Sequence, residues 1–215
     1  MTDLGLSHID EIPLHVSWGT SSYPPKGAGE LQLDTYLPSV PQSGLVVDVG
    51  AGVALSLAAA IHVARPDVTI LAVDPGFREL PAEEFDDILD DTIECFDATK
   101  QSMLRASTVW RDRLLVGSAE ALPIDSSSVD LMVSYAAVPE YAMNLEQVLS
   151  ECARVLKVGA TALHGPMRDG TFANWGRVLE AAKEAGTITD FSSRSGPVRT
   201  PRGYTLNSHF TVINK

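Results

Sequence analysis

Apolar residues alternate between short continuous runs and longer stretches of helical period. Residues 45–49 are almost wholly aliphatic and run into Gly50, Ala51 and Gly52, which predicts a buried strand entering a tight turn. Residues 53–64 are rich in Ala and Leu, with Arg65 near their end and Pro66 beyond, as suits a helix C-terminus. A second aliphatic run, Val68 to Val73, closes on Asp74, Pro75 and Gly76. Strand, glycine turn, helix and strand within about 30 residues make a right-handed βαβ unit and a parallel sheet. Further short runs at 114–116, 129–134 and 160–164, and a last one at 209–213, predict four more strands.

Between them, Leu145, Val148, Leu149, Cys152, Val155 and Leu156 share one face of a helix. Asn144 with Gln147 caps its start, and Gly159 is expected past its end. Residues 172–185 predict another helix, with Trp175, Val178, Leu179 and Ala182 on one face and Gly186 as its stop. Such alternation is the pattern of an α/β, doubly wound sheet.

Residues 1–43 read differently. Pro13, Pro24, Pro25, Pro38 and Pro41 break them, Gly27 and Gly29 loosen them, and a helical turn or two is expected only around residues 30–37. They predict an N-terminal arm or cap, leaving 44–215 as the domain. Residues 75–113 are longer than a plain crossover needs, so an acidic helical insertion is expected at about 77–112. There Glu83, Glu84, Asp86, Asp87, Asp90, Asp91, Glu94 and Asp97 frame Phe85, Ile88, Leu89, Thr92, Ile93 and Phe96, predicting one amphipathic helix with an acidic outer face. Lys100, Arg105, Arg111 and Arg113 follow, so acid precedes base along the helix dipole. Its face suits solubility first; a lid or a docking face for a cationic partner or amine is the sharper option.

Composition narrows the classes. With 215 residues, 45% hydrophobic and 20% charged, the chain can bury a real core as one domain. A net charge of −12 disfavours nucleic acid and anionic membrane as partners. Cys95 and Cys152 stand in unrelated contexts, without disulfide or zinc spacing. No run approaches a membrane span, and residues 1–5 lack the basic and apolar segments of a signal peptide. A soluble cytoplasmic protein is expected, as monomer or homodimer. Arg194, Arg199 and Arg202 lie in a Ser-, Gly- and Pro-rich stretch that reads as a solvent-facing loop. The chain has no Gly-x-Ser-x-Gly, no lysine-bearing P-loop and no metal-ligand spacing, so no local motif supports a hydrolase, kinase or metalloenzyme.

The glycine turn carries the functional signal. Gly-x-Gly at a helix start lets a ligand approach bare backbone N–H groups. Asp74, roughly two dozen residues after Gly50, suits ribose hydroxyls. The dinucleotide fingerprint fails, because its third small residue would fall at Leu55. Asp48, just before the turn, repels a pyrophosphate but welcomes an ammonium or a sulfonium. Residues 117–123 then follow a strand at the same carboxyl edge and are placed to read an adenine.

Taken in order, residues 48–52, Val73-Asp74, 117–123, 129–134 and 151–160 resemble the motifs of class I S-adenosylmethionine-dependent methyltransferases, nearest the small-molecule group called type 11. The matched stretch, about 45–164, is over half the chain. The resemblance implies a Rossmann-like, seven-stranded, mostly parallel sheet with helices on both faces, and S-adenosyl-L-methionine as cofactor. It implies that Asp48, Gly50, Ala51 and Gly52 line the methionine end and that Asp74 with Pro75 holds the ribose. Ser118 and Ala119 would flank adenine, and Ser134 with Tyr135 would close the methionine side. Three positions depart from the family: Ala54 stands for a third glycine, Ser118 for an acid, and Val138-Pro139-Glu140-Tyr141 for a Leu-Glu-His stretch.

Methyl transfer from a sulfonium needs alignment above all, worth up to about 7–11 kcal/mol, and a base only where the acceptor carries a proton. His164 at the end of the fifth run is the candidate base, Tyr135 the candidate that orients the acceptor, and Glu140 a third option. His15, Trp18, Tyr23 and Tyr36 place aromatic groups in the arm, over the acceptor or pinning the arm to the core. The expected function is methyl transfer to a small-molecule acceptor. The alternative is a methyltransferase-like binding protein with weak or no turnover. A nucleotide-binding oxidoreductase is a third reading, opposed by Leu55 and Asp48.

Overall fold

The structure, a computed structural model, describes residues 37–52, 55–78, 81–94, 96–135, 137–199 and 205–215. The arm residues His15, Trp18, Tyr23 and Tyr36, the turn expected at 30–36, Ala54, Cys95 and Arg202 lie outside the described residues. Among the described residues, seven strands form one sheet: β1 (Gly44–Val49), β2 (Val68–Val73), β3 (Leu114–Leu115), β4 (Val129–Tyr135), β5 (Leu156–Met167), β6 (Asp190–Arg199) and β7 (Thr205–Asn214). Their order is β3-β2-β1-β4-β5-β7-β6. β1 pairs parallel with both β2 and β4, β2 with β3, and β4 with β5. β7 runs antiparallel to both neighbours, β5 and β6.

The central strands are buried on both faces, which is why they read as unbroken aliphatic runs. On one face Val46, Leu131, Val133 and Leu163 meet helix α1 (Ser56–Ala64) and the insertion. On the other, Val47, Val49, Met132 and Ala162 meet α4 (Leu145–Val155) and α5 (Asp169–Glu184). Asp48 and Tyr135 therefore share the α1 face by strand alternation, while Ser134 and His164 point to the α4/α5 face.

The insertion is two helices rather than one. A 3-10 turn (Pro75–Arg78) leads into α2 (Ala82–Glu94), and α3 (Ala98–Ala106) follows. Asp97, expected on the first helix's acidic face, instead caps the second: its carboxylate accepts the Thr99 and Lys100 N–H groups at 3.0 and 3.1 Å. α2 buries Ile88, Leu89, Thr92 and Ile93 and exposes its acids, but holds no base in its last turn. Lys100 and Arg105 belong to α3.

Three other expectations change. β5 begins directly where α4 ends, with the Leu156 N–H bonded back to the Cys152 carbonyl, so Gly159 (φ +80°) sits within the strand and donates to the Lys215 carbonyl. Asn144 does cap α4, accepting the Gln147 N–H at 3.1 Å, but the Gln147 side chain donates to the Glu120 carbonyl rather than closing a capping box. The supposed loop around Arg194 and Arg199 is the edge strand β6. Its Ser, Arg, Gly and Pro residues carry almost no apolar alternation, because an edge strand has one neighbour and little to bury. Gly186 stops α5 as expected, at φ +73°.

Candidate functional site

At the carboxyl rim, β1 ends in the turn of Gly50 (φ +70°) and Gly52 (φ +63°), conformations that favour glycine. Gly50 also meets the loop after β4 closely: a Cβ there would lie 2.3 Å from the Ala137 Cβ. The turn does not offer the bare N–H groups its sequence suggests. Gly50 and Ala51 donate to the Val73 carbonyl at 2.8 and 3.3 Å, and Gly52 donates to the Asp74 carboxylate at 2.9 Å. With its donors turned toward β2, the turn is a poor cradle for phosphate and a tolerant one for a cation. Leu55, wholly buried, takes the left-handed conformation (φ 50°) before α1 and fills the place a third small residue would hold in a dinucleotide turn.

Two carboxylates flank this turn. Asp74 accepts Gly52 on Oδ2 and the Gly76 N–H on Oδ1, at 2.9 and 2.7 Å. Each oxygen keeps a lone pair, so the group can still accept two hydroxyls. Asp48 is 1% exposed, and its Oδ2 has no hydrogen-bond partner among the described residues. Burial, with the nearby Asp74 charge, pushes its carboxyl up to about 7. An orphaned carboxylate oxygen beside a turn whose Gly50, Ala51 and Gly52 N–H groups are all engaged is a site that a cation would complete.

Across the cleft lies the loop after β3. Gly117, Ser118, Ala119 and Glu120 line it. The Ser118 hydroxyl bonds to the Glu120 carboxylate, which leaves the serine oxygen as an acceptor. Burial pulls Glu120 upward, but bonds from the Met143 and Asn144 N–H groups and from Ser118 outweigh it and hold the carboxyl below the usual range. From α4, Glu151 accepts the Leu122 N–H at 2.8 Å, while Arg154 pairs with Glu151 and donates to the Leu122 and Ile124 carbonyls at 2.9 and 2.7 Å. This clamp was not assigned from sequence; an acid and a base three apart on a helix's polar face were its signal.

The third wall is the loop after β4, where Tyr135, Ala137, Val138 and Tyr141 face a cavity of about 250 Å³. Ser134 does not line it. Its hydroxyl is fully buried and accepts the Val138 N–H at 2.9 Å, shaping the loop from beneath. Ala51 packs on the core behind the turn. Glu140 faces away from the cavity, tied to the Arg168 guanidinium at 2.7 Å and to the Thr171 hydroxyl at 3.1 Å. It joins the loop to the start of α5, another role the sequence did not disclose.

His164 is not at the cleft. It is 1% exposed, stands edge-on to Trp175 with centroids 5.7 Å apart, and holds Nε2 3.9 Å from Cys152 Sγ. Its Nδ1 has no partner among the described residues, and burial lowers the ring to about 4. A neutral imidazole inside the α4/α5 core has no path to an acceptor, so the expected base role is not supported. Of the residues named from sequence, the structure brings Gly50, Gly52, Asp74, Pro75, Ser118, Ala119 and Tyr135 to one cavity, with Asp48 beneath the turn.

Comparison with known proteins agrees with this geometry. Residues 47–163 match the family model described as a methyltransferase domain. A malonyl-[acyl-carrier protein] O-methyltransferase from Methylococcus capsulatus is 33% identical over 81 residues, 38% of this chain; the match spans only 29% of that relative. Among solved structures, a precorrin-6y C5,15-methyltransferase from Geobacter metallireducens aligns with TM-score 0.54 and 15% identity, over 90% of this chain and 92% of that one. An S-adenosylmethionine-dependent methyltransferase from Aquifex aeolicus aligns with TM-score 0.50 and 15% identity, over 88% and 92%. No helix among the described residues is long and apolar enough to cross a membrane.

Proposed function

Because the chain belongs to the methyltransferase-domain family, whose cofactor is S-adenosyl-L-methionine, we propose that it moves a methyl group to a small-molecule acceptor by in-line displacement. The cofactor supplies the methyl already activated on a sulfonium. In this reading Asp74 accepts the ribose hydroxyls with the lone pairs its two backbone bonds leave. Gly50 and Gly52 let the methionine end lie against backbone, and Asp48 meets the positive charge there. Ser118 and Ala119 flank the adenine, with the serine oxygen as acceptor. Tyr135, Val138 and Tyr141 wall off water and orient the acceptor. The observation that carries this reading is the turn whose donors point inward beside the Asp48 oxygen that has no partner among the described residues.

Calorimetry with S-adenosylmethionine, S-adenosylhomocysteine and NAD tests it. Binding of the first two and not the third supports it; a preference for NAD overturns it. The second reading, a binding protein with little turnover, draws on His164 being sealed in the core, away from the cleft. Incubation with methyl-labelled cofactor and a panel of amines, carboxylates, phenols and thiols separates the two, since only an enzyme moves label to an acceptor.

A further inference from the structure

Further along the rim, three side chains from three elements meet in one hydrogen-bonded line. Ser195 of β6 and His209 of β7 are direct cross-strand partners, so their side chains stand side by side, with Cβ atoms about 5 Å apart. Ser195 Oγ lies 2.6 Å from His209 Nδ1. The other ring nitrogen, Nε2, lies 2.5 Å from Asp169 Oδ1 in the first turn of α5. Phe172, three residues on and thus on the same side of that helix, stacks on the imidazole at 4.0 Å with the planes 4° apart. The ring is therefore fixed at both nitrogens and on one face, and it is 7% exposed. Ser195 is exposed on the edge strand. The tautomer that satisfies both bonds carries its proton on Nε2, donates to Asp169, and accepts the serine hydroxyl on Nδ1.

Nucleophile, base and orienting carboxylate stand in the order that activates a hydroxyl. We propose that Ser195 is a nucleophile toward activated acyl esters, with His209 as its base and Asp169 as a positioning residue. As the Oγ–acyl carbon bond forms, the serine proton passes to His209 Nδ1. The bond from the acyl carbon to the leaving oxygen breaks, and the leaving group takes that proton, giving an O-acyl serine and a free alcohol. Asp169 and Ser195 lie 40 and 14 residues from His209, so no local motif could have announced the arrangement.

The test treats the full chain with a fluorophosphonate probe, in which Oγ–P forms as P–F breaks, and with p-nitrophenyl acetate. Adducts are mapped by mass spectrometry. Ser192 and Ser193, exposed on the same strand, are the internal controls. Ser195 is expected to react at least about a hundredfold faster than either. Ser195→Ala should remove the adduct, and His209→Gln should slow it about a hundredfold. Asp169→Asn should slow it about tenfold, with Asp169→Glu restoring most of the rate; a merely structural tie would not show that rescue. Thermal melts establish that each variant is folded. If wild-type Ser195 reacts no faster than Ser192 and Ser193, the proposal is overturned, whatever the variants do. It is overturned equally if folded His209→Gln reacts at the wild-type rate.

Discussion

Asp48→Asn probes the cleft where its electrostatics are most exposed to measurement. A carboxyl moved from 3.8 to about 7 corresponds to about 4 kcal/mol of folding free energy. The sign follows from which state holds the proton. Below about pH 4 both folded and unfolded chains carry a neutral Asp48, and nothing is lost. Above that the unfolded chain ionises while the folded one keeps its proton. Stability then falls by about 1.4 kcal/mol per pH unit until about pH 7, and the full loss persists above. The neutral amide of the variant removes this dependence while keeping the shape. Melts of wild type and Asp48→Asn at pH 5 and pH 8, without cofactor, should show a gap that widens in favour of the variant. On a chain of this size the widening is about 5–10 °C in Tm. Other titrating groups act on both proteins and cancel. Adding S-adenosylmethionine should reverse the order at pH 8, because a cation beside the turn stabilises the ionised wild type and finds no charge in the variant. A gap that is equal at pH 5 and pH 8 would refute the account of a buried carboxylate with one oxygen left without a partner among the described residues.

Other outcomes follow from particular contacts. Gly50→Ala places a Cβ 2.3 Å from the Ala137 Cβ at φ +70°, so urea melts should show a loss of about 1–3 kcal/mol, and calorimetry a loss of cofactor binding. Arg154→Ala leaves the Leu122 and Ile124 carbonyls without their guanidinium; cofactor affinity should fall about tenfold although the residue lies outside the cleft. The ring of His164, lowered to about 4, should show no titration by NMR between pH 5 and pH 8. Its contribution to stability is present above its ordinary value of 6.5 and is lost as pH falls toward 4.

The parallel half of the fold was legible because its strands are buried on both faces and carry their burial as aliphatic runs. Asp48, Gly50, Gly52 and Asp74 were legible for a related reason: a turn that must pass φ > 0 beside acids leaves few residue choices. The edge strand β6 was not, since Ser192 and Ser193 answer to one neighbour and to solvent. The break between α2 and α3 was hidden because Asp97 serves equally well in an acidic face and as a cap. His164 misled because a strand end in the sequence does not say which face a side chain takes; the alternation that aims Tyr135 toward α1 aims His164 toward α4 and Trp175. Glu140, Glu151 and Arg154 were readable as types but not as partners, since their bonds run to loops far off in sequence.

The loop after β3 follows a strand only two residues long, too little to set its shape. Its rigidity is imported from α4, through one acid and one base that never touch the cleft. Retuning what the cavity accepts should therefore vary Ala119, which lines it, and leave Glu151 and Arg154 alone. Changing the helix would loosen the whole wall rather than redraw it.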